Sequence, residues 1–250
     1  MDELYKIVEK LYKEYQSYMH IEDMEDYKLE VRPEKEMGYT IASTMKKEGV
    51  RYLFLHEYLA GNLLSGVAER WEIGVLFHEF THIADDSIIE KAGVPETKKY
   101  MYRPYVEYHA EFIKILYVFG IYPFSDDRLK LPHTEVFNSQ YGDISIYDYL
   151  MKIKSGYVAD IIIDTDDMTA YMKNYDLLSY YLGTASVYGI CCDYNVDEIM
   201  DVTEFIDKLG DNARKIKDIL LKSVKFGFDT KTAIECANIY IPMIQPFLNK

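Results

Sequence analysis

The chain has 250 residues, 49% of them hydrophobic, which is enough for one large domain or two small ones around a substantial core. A formal net charge of −14 argues against a surface built to bind nucleic acid, because phosphate contacts need clustered Lys and Arg. No apolar stretch approaches the roughly 20 residues of a membrane span, and the start Met1-Asp2-Glu3-Leu4-Tyr5-Lys6 lacks the basic and apolar runs of a secretory signal, so a cytoplasmic protein is expected.

Residues 2–19 carry Leu4, Ile7, Val8, Leu11, Tyr12, Tyr15 and Met19 at helical spacing, with Lys and Glu between them. This predicts an amphipathic helix with one face packed on the rest of the chain. Three short strands follow. Residues 27–31 alternate, residues 39–45 are rich in β-formers, and residues 50–55 come after the turn Lys46-Lys47-Glu48-Gly49. The last two predict an antiparallel hairpin leading into a helix.

That helix is expected to open at Ser65 or Gly66, to run through Val67, Trp71, Val75 and His78, and to close at Asp85 and Asp86. Within it, His78, Glu79 and His82 form the pattern His-Glu-x-x-His. Residues four apart leave an α-helix on one face, so both imidazoles can reach a single zinc ion at ~2.1 Å each. Glu79 lies about 100° round from His78, where it can hold a water on the metal without being a ligand. Val75, Leu76, Phe77, Phe80, Ile83 and Ala84 surround the triplet, as expected for a buried active-site helix. Asp85 and Asp86 oppose the helix dipole. They read either as hydrogen-bond partners of an imidazole such as His82 or as solvent-exposed carboxylates.

A loop with Gly93, Pro95 and Pro104 leads to a helix over residues 105–116. A catalytic zinc has three protein ligands and an open position, and Glu107 and Glu111, four apart on this helix, are the best-placed sources of the third. One can bind the metal while the other orients a His from behind. His109 lies on a different face of the helix. Beyond Pro123 the pattern is helical to the end, with helices at 143–163, 167–190, 197–209, 211–224 and 229–248 and breaks at Asp164-Thr165-Asp166 and Gly210. The stretch 123–142, with Pro123, Pro132 and Gly142, is the one plausible border. It separates a region 1–122, with a small antiparallel sheet and the His-Glu-x-x-His helix, from a helical region 123–250. The fold class is α+β, mostly α. Cys191, Cys192 and Cys236 lack metal-site spacing and read as reduced, buried thiols, and the 25 scattered Tyr read as packing.

The order of hairpin, His-Glu-x-x-His helix and Glu-bearing helix resembles the Glu-zincin metallopeptidases. Glu107-x-x-Ala110 followed by apolar residues is similar to the Glu-x-x-Ala-Asn motif of the ImmA/IrrE family, intracellular proteins of bacteria and their mobile elements. The resemblance covers roughly residues 27–120. It implies that Glu107 is the third zinc ligand and that the substrate is a repressor-type transcription regulator. Glu111 stands where the family has Asn, Thr81 stands where it has Gly, and its Leu-Met-Pro ending is absent.

Two functions are therefore expected to compete. In the first the chain is a zinc endopeptidase: His78, His82 and Glu107 hold the ion, Glu79 is the base, and a Tyr or His from the loop 98–109 or the helical half assists the oxyanion. In the second the metal is structural or vestigial, and the helical half binds a regulator or a second copy of the chain. Glu79 discriminates between them, because catalysis needs it and metal binding does not.

Overall fold

A computed structural model of the chain describes residues 2–123, 134–163, 165–192, 201–222 and 225–248, which are mostly helical with two small sheets. Helix α1 (Asp2–Met19) forms where its periodicity predicts, and its apolar face covers the metal-site helix. Tyr12 and Tyr15 meet Phe80 edge-on, and the Tyr15 hydroxyl donates to Thr81 Oγ1 at 3.0 Å.

Strands β1 (Tyr27–Arg32), β2 (Ala42–Lys47) and β3 (Val50–His56) form one sheet in the order β1-β3-β2, with the short helix α2 (Glu34–Met37) between β1 and β2. The hairpin of β2 and β3 is antiparallel, with Thr44 opposite Leu53. Its turn is Glu48-Gly49, at φ +53° and +77°, the left-handed pair that matches the twist of a two-residue hairpin. The sheet is not purely antiparallel as expected, because β1 pairs with β3 in parallel, Leu29 opposite Leu53. The buried run Leu53-Phe54-Leu55 explains this: it seats β3 in the centre and sends β1 and β2 to opposite edges.

The helix expected to open at Ser65 or Gly66 opens at Arg70 instead, and a separate, unexpected helix precedes it. Gly66, at φ +70°, closes α3 (Glu57–Ser65) as a left-handed cap. Helix α4 (Arg70–Lys91) starts where Glu69 and Glu72 exchange capping hydrogen bonds, the Glu69 N–H donating to Glu72 Oε2 at 2.7 Å. Asp85 and Asp86 do not end α4, because each has a cationic partner that removes the conflict with the helix dipole.

Helix α5 (Arg103–Phe119) lies between α4 and α7 (Met168–Cys192). Both contacts depend on glycine. A Cβ on Gly74 of α4 would meet Val118 Cγ2 at 2.7 Å, and one on Gly183 of α7 would meet the Tyr108 carbonyl oxygen at 2.7 Å. Beyond Pro123 the chain is not helical throughout: β4 (Val136–Ser139) and β5 (Gly142–Ser145) form an antiparallel hairpin. Phe137 anchors it against Phe119 and Tyr149, a tertiary contact that overrides the helical reading. Helices α6 (Ile146–Asp160), α8 (Thr203–Leu209), α9 (Asp211–Lys222) and α10 (Thr230–Leu248) follow. Pro132, Asp164, residues 197–200 and 223–224 and the side chain of Cys192 lie outside the described residues. Cys191 and Cys236 are buried, and no disulfide joins them. No helix among the described residues is long and apolar enough to cross a membrane.

Candidate metal centre

Helix α4 presents His78 and His82 one turn apart, and α5 brings Glu107 against them. His78 Nε2 and His82 Nε2 are 3.0 Å apart, and Glu107 Oε2 lies 3.5 Å from the first and 3.3 Å from the second. Three atoms each about 2.0–2.1 Å from one tetrahedral zinc stand about 3.3–3.4 Å apart, so this triangle is the size that a common ion requires. These three residues are the group among the described residues that could hold a metal ion. Glu107 Oε2 is buried with no hydrogen-bond partner, although it is the atom pointing at both imidazoles. A buried carboxylate oxygen without a donor is costly, and a cation would satisfy it. Two imidazoles and a carboxylate also form a donor set suited to zinc. The residues fit the metal.

The electrostatics of the site carry the same message. Burial opposes a charge on His78, but Glu107 and Glu111 outweigh it and push its pKa up to about 9. Burial likewise disfavours the Glu107 carboxylate, yet His82 and His78 hold it well below the usual carboxylate range. The surrounding carboxylates thus make the pocket favour positive charge.

Glu111 does not join the triangle. Its Oε2 lies 3.3 Å from His78 Nδ1, and both of its oxygens accept from Lys114 Nζ at 3.0 Å. It thus stands behind one imidazole and leaves Nε2 free for the ion. Asp85 is neither solvent-exposed nor bonded to His82; it is buried and engages His109 instead. His109 Nδ1 lies 3.0 and 2.9 Å from the two Asp85 oxygens, and Nε2 lies 2.9 Å from the Phe226 carbonyl. With acceptors on both nitrogens, this ring is spent on tying α5 to α4 and to the segment before α10.

Glu79 faces the same cleft as His78 and His82, on the side of β2. Its Oε2 accepts from Thr44 Oγ1 at 3.1 Å, which fixes the carboxylate against the sheet. Burial raises its pKa, opposed by His82 and His78. The cleft encloses about 570 Å³ between β2, α4, α5 and Tyr180 of α7. A larger cavity of about 700 Å³ lies at the far end of α4, beside Arg70 and Tyr117, but it offers only His20 and Glu14 as metal-ligand types. The chemistry selects the smaller one.

β2 is an edge strand of its sheet, the one that borders the cleft. The His56 N–H donates to the Ile41 carbonyl at 2.9 Å. In an antiparallel ladder the pairs alternate, so residues 42, 44 and 46 turn their backbone N–H and C=O groups away from β3 and along the cleft. Beyond Thr44 the cleft wall is a charged network. Lys46 Nζ lies 2.7 Å from Glu25 and 2.8 Å from Glu90, and Lys99 also bonds Glu90.

The elements that sequence reading left without a role contribute directly here. Arg103, one turn before Glu107, makes a two-pronged pair with Asp176 of α7, at 2.7 Å for each prong. Tyr180, one turn after Asp176, sets its ring 5.7 Å from that of His78. Burial and the nearby Glu107 raise its pKa well above the ordinary phenol value, so it stays a proton donor. The recoverable signal was the run Asp176, Tyr180, Thr184, a polar stripe at helical spacing in an otherwise apolar helix. No protein-family model, no curated protein and no solved structure matches the chain.

Proposed function

We propose that the chain is a zinc-dependent endopeptidase of the Glu-zincin type, working inside the cell and similar to the ImmA/IrrE proteins. The observation that carries this reading is the triangle of His78, His82 and Glu107, with the orphaned Glu107 Oε2 at its apex and Glu79 beside it. Zinc, when bound, supplies Lewis acidity that brings the pKa of water near 7 and polarises a carbonyl.

The chain's own groups do the rest. Backbone donors and acceptors of residues 42, 44 and 46 add an extended peptide to the edge of β2. Glu79, held by Thr44, takes a proton from the attacking water and returns it to the leaving amine. The Tyr180 hydroxyl, protonated throughout, donates to the carbonyl oxygen as charge develops on it. A repressor-type regulator is the substrate that the family resemblance supports.

The test is proteolysis of an unfolded protein pool and of co-expressed regulators by zinc-loaded wild type and Glu79→Gln. Glu79→Gln should keep its zinc and lose about 10²–10⁴ in cleavage rate, the usual worth of a general base. Equal cleavage by both proteins rejects Glu79 as the base. Zinc-loaded wild type that cuts nothing, with Glu79→Gln retaining the biological effect, favours a non-catalytic interaction protein.

A further inference from the structure

Helices α5 and α7 run side by side in the same direction. Arg103 meets Asp176, and Glu111 meets Thr184, each across an offset of 73 residues. Gly183 allows the close approach, because a Cβ there would sit 2.7 Å from the Tyr108 carbonyl oxygen and 3.0 Å from the Phe112 nitrogen. Along this seam Arg103 faces two carboxylates at once. Its Nη2 lies 2.7 Å from Asp176 Oδ2 and 3.5 Å from Glu107 Oε1. Glu107 therefore has two differently placed oxygens: Oε1 towards Arg103, and Oε2 towards the two imidazoles with no donor of its own.

We infer that Asp176, acting through Arg103, is a positioning residue that holds Glu107 as a one-oxygen ligand. This rests on the metal-centre reading above and deepens it. The argument is geometric. A free carboxylate can turn both oxygens to an ion and fill the position that a substrate needs. Arg103 prevents this by keeping Oε1 on its own side. Arg103 in turn is anchored from α7 at two points, where its planar guanidinium fork meets the Asp176 carboxylate. A lysine at 103 would keep the charge but not the fork. The helical half of the chain thereby helps to set the coordination number of a site whose ligands all come from the first half.

The test measures zinc affinity by chelator competition, and the visible spectrum of the cobalt-substituted protein, for wild type, Asp176→Asn, Arg103→Lys and Ser186→Ala. Ser186 accepts from the Tyr108 hydroxyl at 3.1 Å, so its loss weakens the same helix seam without touching Arg103. Asp176→Asn and Arg103→Lys should bind zinc about 10–100-fold more weakly, as for other outer partners of metal ligands. Their cobalt bands should also lose intensity as Glu107 turns both oxygens to the ion. Ser186→Ala should keep both properties. Zinc affinity and cobalt bands unchanged in Asp176→Asn overturn the inference while leaving the metal centre intact. A wild type that binds neither metal overturns the metal centre itself. If Asp176→Asn does not fold, Arg103→Lys decides alone: affinity within about twofold of wild type rejects the clamp, because the expected loss is about tenfold or more.

Discussion

Replacing Gly183 by Ala isolates the fit between α7 and α5. The added methyl would stand 2.7 Å from the Tyr108 carbonyl oxygen, 3.0 Å from the Phe112 nitrogen and 3.1 Å from Glu111 Cβ. Ordinary contacts between such atoms begin near ~3.5 Å, so the worst overlap is about 0.8 Å. Two of the three obstacles are backbone of α5, which cannot rotate away, so the helices themselves must part. Overpacking of this kind costs about 1–3 kcal/mol, and a clash with backbone belongs at the upper end. Against it stands about 0.5–1 kcal/mol that Ala gains over Gly in a helix. The expected net effect is a loss of about 2 kcal/mol. Gly156 of α6 is the matched control: it too is helical, but a Cβ there meets nothing within 4 Å. Gly156→Ala should therefore gain about 0.5–1 kcal/mol. At about 2–4 °C per kcal/mol for a chain of this size, the two variants should melt about 5–12 °C apart, on opposite sides of the wild type. Differential scanning calorimetry of the three proteins reads this directly. Gly183→Ala melting with or above Gly156→Ala would refute the close packing of α7 on α5.

Thr44→Val removes the hydroxyl that donates to Glu79 at 3.1 Å while keeping the shape of the strand. One hydrogen bond to a charged group is worth about 1.5–3 kcal/mol, so peptide cleavage should fall about tenfold or more at unchanged zinc content. An unchanged kcat/KM would count against Thr44 as the support of the base. A second expectation concerns Glu90. Burial works to raise its pKa, but the ammonium groups of Lys46 and Lys99 override it and hold the carboxyl at about 2. A depressed carboxylate contributes stability that is fully present above its unfolded pKa, near ~4.3, and is lost as pH falls towards the folded value. Urea midpoints of Glu90→Gln should therefore lie below those of wild type at pH 6, with the gap narrowing as pH falls below ~4.5. A gap that is constant or widens towards acid would show that Glu90 does not act through its charge.

How much of this was legible in the chain depended on how local each signal was. The pair His78 and His82 needed only the period of a helix, and Glu107 and Glu111 only the same period on the next one. Their division of labour, with Glu107 facing the two imidazoles and Glu111 behind His78, depends on the crossing of α4 and α5, which no spacing encodes. Asp85 read as an oddity of a helix end because its reason, His109, lies 24 residues on. The parallel pairing of β1 escaped for the same cause: order in a sheet is decided by which strand is apolar enough to sit in the middle. The hairpin of β4 and β5 was hidden because its support, Phe119 and Tyr149, lies outside it. Asp176 and Tyr180 are more than 60 residues beyond Glu107, and only the stripe they form with Thr184 betrayed a buried polar role.

The most direct test of the account is the metal content of purified, zinc-equilibrated protein beside its His82→Ala and Glu79→Gln variants. His82 contributes one corner of the triangle with His78 and Glu107, whereas Glu79 stands outside it. Mass-spectrometric metal analysis should find one zinc per chain in the wild type and in Glu79→Gln, and little in His82→Ala, because two remaining ligands cannot hold the ion against a chelating wash. A wild type without zinc, or a His82→Ala variant that holds it as firmly as the wild type, would contradict the metal centre on which the proposed chemistry rests.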